Sequence, residues 1–191
     1  MSLKGKVAFF VTTNFHKFNE ARRVLAEHGV VAALLRIEAI EVQDDDLEEI
    51  AEASVRDAVE KSGLPVLVED AGLFIGVLKG FPGPYSSYVY RTLGTKGVLK
   101  LMEGIAKRNA YFCSVVAFYS PERASPKCFH GKVEGEITLK ERGNQGFGFD
   151  PIFEPKGGVG KTFAEMTTTE KNRFSHRAQA LRKFAAWYRS T

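Results

Sequence analysis

Cysteine and histidine are scarce in this chain: two of the first and four of the second in 191 residues. Cys113 and Cys128 form no CxxC pair, and no Cys/His spacing repeats a zinc-binding motif, which excludes a disulfide scaffold and a zinc finger. Long apolar runs are missing as well. None approaches the roughly 20 residues a membrane helix requires, and no basic, then apolar leader opens the chain. Internal repeats, low-complexity tracts and long linkers are also missing, so solenoids and separable domains drop out. The expectation is one domain over residues 1–191, soluble and cytoplasmic, with reduced thiols. A content of 44% hydrophobic and 26% charged residues suits a core that needs no staples.

Charge of one sign is not abundant either. The formal net charge is +4, and the basic residues are scattered, so a nucleic-acid surface is only weakly favoured. Locally the balance is uneven. "EVQDDDLEE" at 41–49 is acidic, whereas the chain from Lys156 onward is basic.

What is present alternates between sheet and helix patterns. "KVAFFVT" (6–12) reads as a buried strand, followed by a helix to about His28 that Thr13 or Asn14 caps and Gly29 ends. "ALLRIEAIEV" (33–42) reads as extended, and residues 47–62 carry apolar positions at helical spacing. "PVLVED" (65–70) is the next strand, predicted to stop at Glu69 and Asp70 and to turn on Gly72 at a sheet edge where ligands collect. Two short helices near 86–93 and 95–105, strands over 110–120 and 127–139, and a final helix over 175–188 complete the pattern. "KGGVGKT" (156–162) resembles the end of a P-loop, but Pro155 stands where the motif requires its first glycine, so the segment reads as a basic hairpin.

Four stretches carry more information together than apart: "VTTNFHKFNE" (11–20), "IEVQ" (40–43) with "VEDAGLFIGVLKGFPGPYSSY" (68–88), "GFGFDPIFEP" (146–155) and "KTFAEMTTTEKNRFSHRAQAL" (161–181). In this order they resemble the inosine triphosphate pyrophosphatase family, with "LKGFPGPYSSYVYRTLG" most similar to archaeal members. The resemblance runs from Lys6 to the last helix. It implies hydrolysis of deaminated purine nucleoside triphosphates (ITP, dITP, XTP) to the monophosphate and pyrophosphate. It also implies an elongated α/β fold: a mixed sheet with flanking helices in two lobes around a central nucleotide-binding cleft.

Residue by residue, the resemblance implies that Glu41 and Asp70 bind Mg2+, one or more ions per site, and that Asp70 is the general base. Thr12, Thr13, Asn14, Phe15, His16 and Lys17 fall in the phosphate loop, where a helix N-terminus and a lysine suit an anion. Ala71 follows Asp70 where relatives carry Ser, and Thr13 stands where they carry Gly or Ser. On the 47–62 helix, where many relatives place Asn or Lys, this chain offers only Ser54, Arg56 or Lys61. Base recognition falls to Phe147, Gly148, Phe149 and Asp150, then Lys171, Ser175, His176 and Arg177, with Phe149 offering an aromatic face and His176 and Arg177 directed at a 6-keto oxygen. Glu69 reads as a surface acid or a support for its neighbour. A homodimer is expected, with no membrane and no nucleic acid as partner. The alternatives are a nucleotide pyrophosphatase of broader base preference and a non-catalytic nucleotide- or nucleic-acid-binding module, against which the paired acids Glu41 and Asp70 argue.

Overall fold

The computed structural model describes residues 6–191. The first apolar run forms β1 (Lys6–Val11), and Asn14 caps α1 (Phe15–Glu27), whose inward stripe is Ala21, Val24 and Leu25. After Gly29, which takes a φ of 67°, the chain returns as β2 (Val30–Leu35), parallel to β1. A parallel pair needs a crossover, and α1 supplies it. The helix α2 (Leu47–Ser62) starts at the Asp46 cap and ends at a left-handed Gly63.

The remaining elements are β3 (Val66–Ile75), β4 (Pro82–Gly83), α3 (Ser86–Thr92), α4 (Gly94–Leu101), β5 (Asn109–Tyr119), β6 (Lys127–Ile137), β7 (Phe153–Pro155), α5 (Thr168–Asn172) and α6 (His176–Ser190). Seven strands make one mixed sheet in the order β2-β1-β3-β5-β6-β7, with β4 antiparallel to β3. This is the mixed α/β class expected from the sequence. Among the described residues, no helix is long and apolar enough to cross a membrane.

Two compact units divide the chain. Unit one takes the chain to Asp70, Ser114–Gly131 and Arg177–Thr191; unit two takes Ala71–Cys113 and Lys132–His176. Each has its own core. In unit one Phe10, Val24, Leu25, Leu67, Phe118, Leu181 and Phe184 pack together, and in unit two Leu73, Ile75, Met102, Phe112, Phe149, Phe153 and Phe163 do.

Two expectations need correction. The strand at 66 does not stop at its carboxylates or turn at Gly72; it continues to Ile75. Gly72 lacks a side chain for a different reason: a Cβ there would collide with the carbonyl of Gly83, which lies beside it where Leu73 pairs with Gly83. The extended segment expected at 33–42 is strand only to Leu35, and residues 36–46 are irregular. The five-residue α5 was not foreseen. It is short, and its capping box of Thr167 with Glu170 lies in a run of threonines that reads as loop.

Candidate active site

The start of α1 is organised by side chains of its own loop. Thr12 Oγ1 accepts from the Asn14 N–H at 3.0 Å, and Asn14 Oδ1 accepts from the N–H groups of His16 at 2.9 Å and Lys17 at 3.2 Å. Thr13 and His16 are exposed, and Phe15 is 57% exposed. One turn into the helix, Lys17 Nζ donates to the backbone carbonyl of Glu69 at 3.0 Å and pairs with the Glu69 carboxylate at 3.1 Å. It also lies 3.9 Å from Asp70 Oδ1. A cation from α1 therefore meets both acids of "VED".

Those two acids differ sharply. The Asp70 side chain is 29% exposed, whereas that of Glu69 is fully buried. Glu69 accepts from Ser114 Oγ at 2.6 Å and pairs with Arg177 Nε at 3.1 Å, and Arg177 Nη1 reaches Glu20 at 2.6 Å. The reading of Glu69 as a surface acid is wrong. A buried carboxylate is tolerable only with compensating charge and hydrogen bonds, and Glu69 receives both from three elements. Glu20, Glu69, Asp70, Lys17 and Arg177 sum to one negative charge, and Asp70 is the acid among them with the most solvent exposure. Burial alone would push the Arg177 guanidinium down, but Glu69 and then Glu20 more than reverse this, so it is held above its ordinary value and stays charged.

Arg177 is 2% exposed, and these carboxylates occupy its Nε and Nη1. Its placement differs from that of a side chain directed only at a base. Signals for this existed in the sequence: Glu20 faces inward from α1 at helical spacing with Val24, and Ser114 breaks an otherwise apolar strand.

Glu41 is exposed in the irregular segment after β2. Three residues on one face of α2 hold the backbone just before it: Asp57 accepts from the Ile40 N–H at 2.8 Å, Ser54 donates to Ile40 O at 2.7 Å, and Lys61 donates to Glu38 O at 2.8 Å. Ser54 and Lys61 thus support the Glu41 loop, while Arg56 lies 3.4 Å from Glu52. The spacing 54, 57, 61 places the three side chains on one face of α2, which was legible in the sequence for Ser54 and Lys61 but not for Asp57. Glu41 and Asp70 offer only carboxylate oxygens, a donor set that fits a hard divalent cation.

Unit two presents a second group. Asp150 Oδ2 accepts from the Phe147 N–H at 2.9 Å and pairs with Lys171 at 2.6 Å, both side chains nearly inaccessible at 4% and 3%. The loop wraps closely around this carboxylate, because a Cβ on Gly146 would overlap it. Lys171 also lies 5.0 Å from the ring of Phe147. His176 stacks on Phe112 at 4.6 Å, and Ser175 is fully buried just before α6. Phe149 does not present an open face. It is 3% exposed in the core and meets Tyr90 edge-on at 5.5 Å, and the partly exposed ring of this loop is Phe147. Gly148 between them adopts a φ of 62°, which lets the two rings diverge. Ala71 is half-buried on β3.

A sequence profile of the Ham1 family matches residues 8–187, which span every group described above. The chain belongs to the Ham1 family. Ham1 relatives include a dITP/XTP pyrophosphatase of Methanopyrus kandleri, 47% identical over 181 residues and 95% of each chain, and one of Thermococcus kodakarensis, 48% identical over 178 residues, 93% of this chain and 95% of that one. A HAM1 protein from Coxiella burnetii, 30% identical, superposes with a TM-score of 0.85 over 97% of this chain and 100% of its own.

Proposed function

We propose that this Ham1 protein hydrolyses the triphosphates of deaminated purines, dITP, XTP and ITP, to the nucleoside monophosphate and pyrophosphate. The observation that carries the reading is near-half identity, over 95% of both chains, to a relative named for dITP and XTP. The arrangement around Asp70 supports it. Asp70 is the partly exposed acid of a cluster whose other carboxylates are buried, with the Lys17 ammonium beside it.

In the proposed reaction, Asp70 takes a proton from a water that attacks the α-phosphorus, while the bond to the bridging oxygen breaks and pyrophosphate leaves with the electron pair. Lys17 holds a phosphate oxygen, exchanging one anionic partner for another, and Thr12, Thr13, Asn14 and the start of α1 orient the chain of phosphates. A divalent ion held by Glu41 and Asp70, magnesium in this proposal, supplies neutralisation of phosphate charge. Phe147, Asp150, Lys171, Ser175 and His176 are the proposed contacts to the base and sugar, with Lys171 or His176 donating to a 6-keto oxygen.

A homodimer belongs to the proposal, supported by the exposure of Tyr85, Tyr88 and Leu93 at 39%, 61% and 50%. So does action in the cytoplasm, in keeping with a chain that has only two cysteines and no CxxC pair. Early-time product analysis over ITP, dITP, XTP, ATP, GTP and CTP, with and without magnesium, tests the function. The expected result is intact pyrophosphate, fastest from the three deaminated purines and dependent on the ion. Orthophosphate as first product, or equal rates on ATP, overturns it.

A further inference from the structure

A group of side chains in unit one that the proposed reaction does not use meets where α2 faces β6. Glu48 and Glu52 are one turn apart on α2, and Cys128 and His130 are two residues apart on β6, so each pair shares a face of its element. Donor atoms of Glu48, Glu52 and Cys128 all lie within 4.8 Å of one another. Cys128 Sγ is 3.8 Å from Glu52 Oε1, and His130 Nε2 is 3.1 Å from Glu48 Oε2. Ligand atoms bonded tetrahedrally to zinc at about 2.0–2.3 Å stand roughly 3.3–3.8 Å from each other, so these separations are close to those of a ligand shell.

We infer that Glu48, Glu52 and Cys128 form a binding site for one borderline divalent cation of the zinc class, which the exposed His130 side chain, already against Glu48, completes by rotating toward the sulfur. The donor chemistry separates this site from Glu41 and Asp70: thiolate and imidazole select zinc, cobalt or cadmium, whereas carboxylates alone suit magnesium. Sequence reading finds no zinc spacing because the donors come from two elements, with Cys128 and Glu52 76 positions apart. Neighbouring cations are engaged on other atoms of the same residues. Arg56 lies 3.4 Å from Glu52 Oε2, the oxygen not facing Cys128, and Lys183 donates to the His130 backbone carbonyl at 2.7 Å.

Glu48 and Glu52, at i and i+4, place two negative charges side by side. A divalent ion bound there would neutralise the acids, displace the Cys128 thiol proton to solvent and bond the sulfur. Glu48, Glu52 and Cys128 are half-buried and His130 is exposed, so an ion has access to them. Once bound, it cross-links the first two turns of α2 to β6.

The test is titration of the full chain with Co2+ under saturating Mg2+, followed by displacement with Zn2+. The wild-type protein is expected to take up one equivalent with a near-ultraviolet thiolate-to-cobalt charge-transfer band. That band disappears in Cys128→Ser, persists in Cys113→Ser and is bleached by Zn2+. Zn2+ should raise the Tm of wild type and leave that of Cys128→Ser unmoved. A wild-type spectrum without the sulfur band, or a band that survives Cys128→Ser, overturns the inference. If Cys128→Ser fails to fold, the doubly substituted Glu48→Gln/Glu52→Gln protein, which keeps the thiol, decides the matter: at least tenfold weaker cobalt binding supports the site, and unchanged affinity overturns it.

Discussion

The two units treat buried charge differently. Unit one buries Glu69 among partners from α1, β5 and α6, so that one internal carboxylate ties Lys17, Ser114 and Arg177 together while Asp70 beside it keeps contact with solvent. Unit two buries the pair of Asp150 with Lys171, folds a glycine loop over it and surrounds it with phenylalanine rings. In the first, charge organises the position of a partly exposed carboxylate. In the second, aromatic packing organises the position of a charge. Substitutions should therefore propagate as charge imbalance in unit one and as packing loss in unit two.

The largest effect that would break this contrast is expected from Arg177→Ala. It leaves Glu20 and Glu69 without their shared cation, and breaking a buried pair costs about 3–5 kcal/mol. Equilibrium denaturation measures this, and a cost below about 1 kcal/mol, the worth of a surface pair, would remove Arg177 from the centre of the cluster. On the fraction that folds, kcat/KM should fall by similar factors for ITP and ATP. A selective loss for ITP would return Arg177 to base contact.

Next in size is Asp70→Asn. It should lower turnover by at least about two orders of magnitude, the usual worth of a general base, with little change in stability because Asp70 is partly solvated. Near-native turnover in the folded variant would exclude Asp70 as the base.

Phe149→Leu sharpens the other side of the comparison. A smaller apolar group in the unit two core should cost about 1–2 kcal/mol of stability and leave the ratio of ITP to ATP activity unchanged. A drop in that ratio would mean that the ring touches the purine despite its burial.

The smallest effect is expected at Asp57, which holds the loop before Glu41. The Lys61 hydrogen bond first, then the Ile40 N–H, keep the Asp57 carboxyl below its ordinary 3.8. A lowered folded value means that the contribution is fully present above the ordinary value and is lost only as pH falls through the depressed one. Activity near neutrality should not respond to this group's titration. Asp57→Asn should raise the magnesium concentration for half-activation about tenfold at most, with Tm nearly constant. A flat magnesium response would show that the loop holds its position without it.

Most helices and strands were legible because their patterns are local: apolar periodicity, with a cap at Asn14 and a stop at Gly29. The partners of the candidate site were less so. "VED" reads as a strand end because two adjacent acids are unusual inside a sheet, and what makes them tolerable comes from Lys17, 52 positions before Glu69, and from Ser114, 45 positions after it. No window of sequence contains that compensation. Phe147 and Phe149 were indistinguishable for a related reason, since two aromatics flanking a glycine do not reveal which one the surrounding core absorbs.

The continuity of β3 through Glu69 and Asp70 limits how the length of this segment can change. Adjacent strand residues point to opposite sides, so one residue lost between Val66 and Glu69 would bring the shorter acid to the place of the longer one among Arg177 and Ser114, and one residue gained would leave an apolar side chain there. Glutamate and aspartate are not interchangeable there, because the contacts to Arg177 and Ser114 are made at the reach of the longer side chain. Insertions and deletions should then be tolerated in the irregular stretch between Glu41 and Asp46 far better than between Val66 and Ile75, where every residue is counted against its neighbours on both sides.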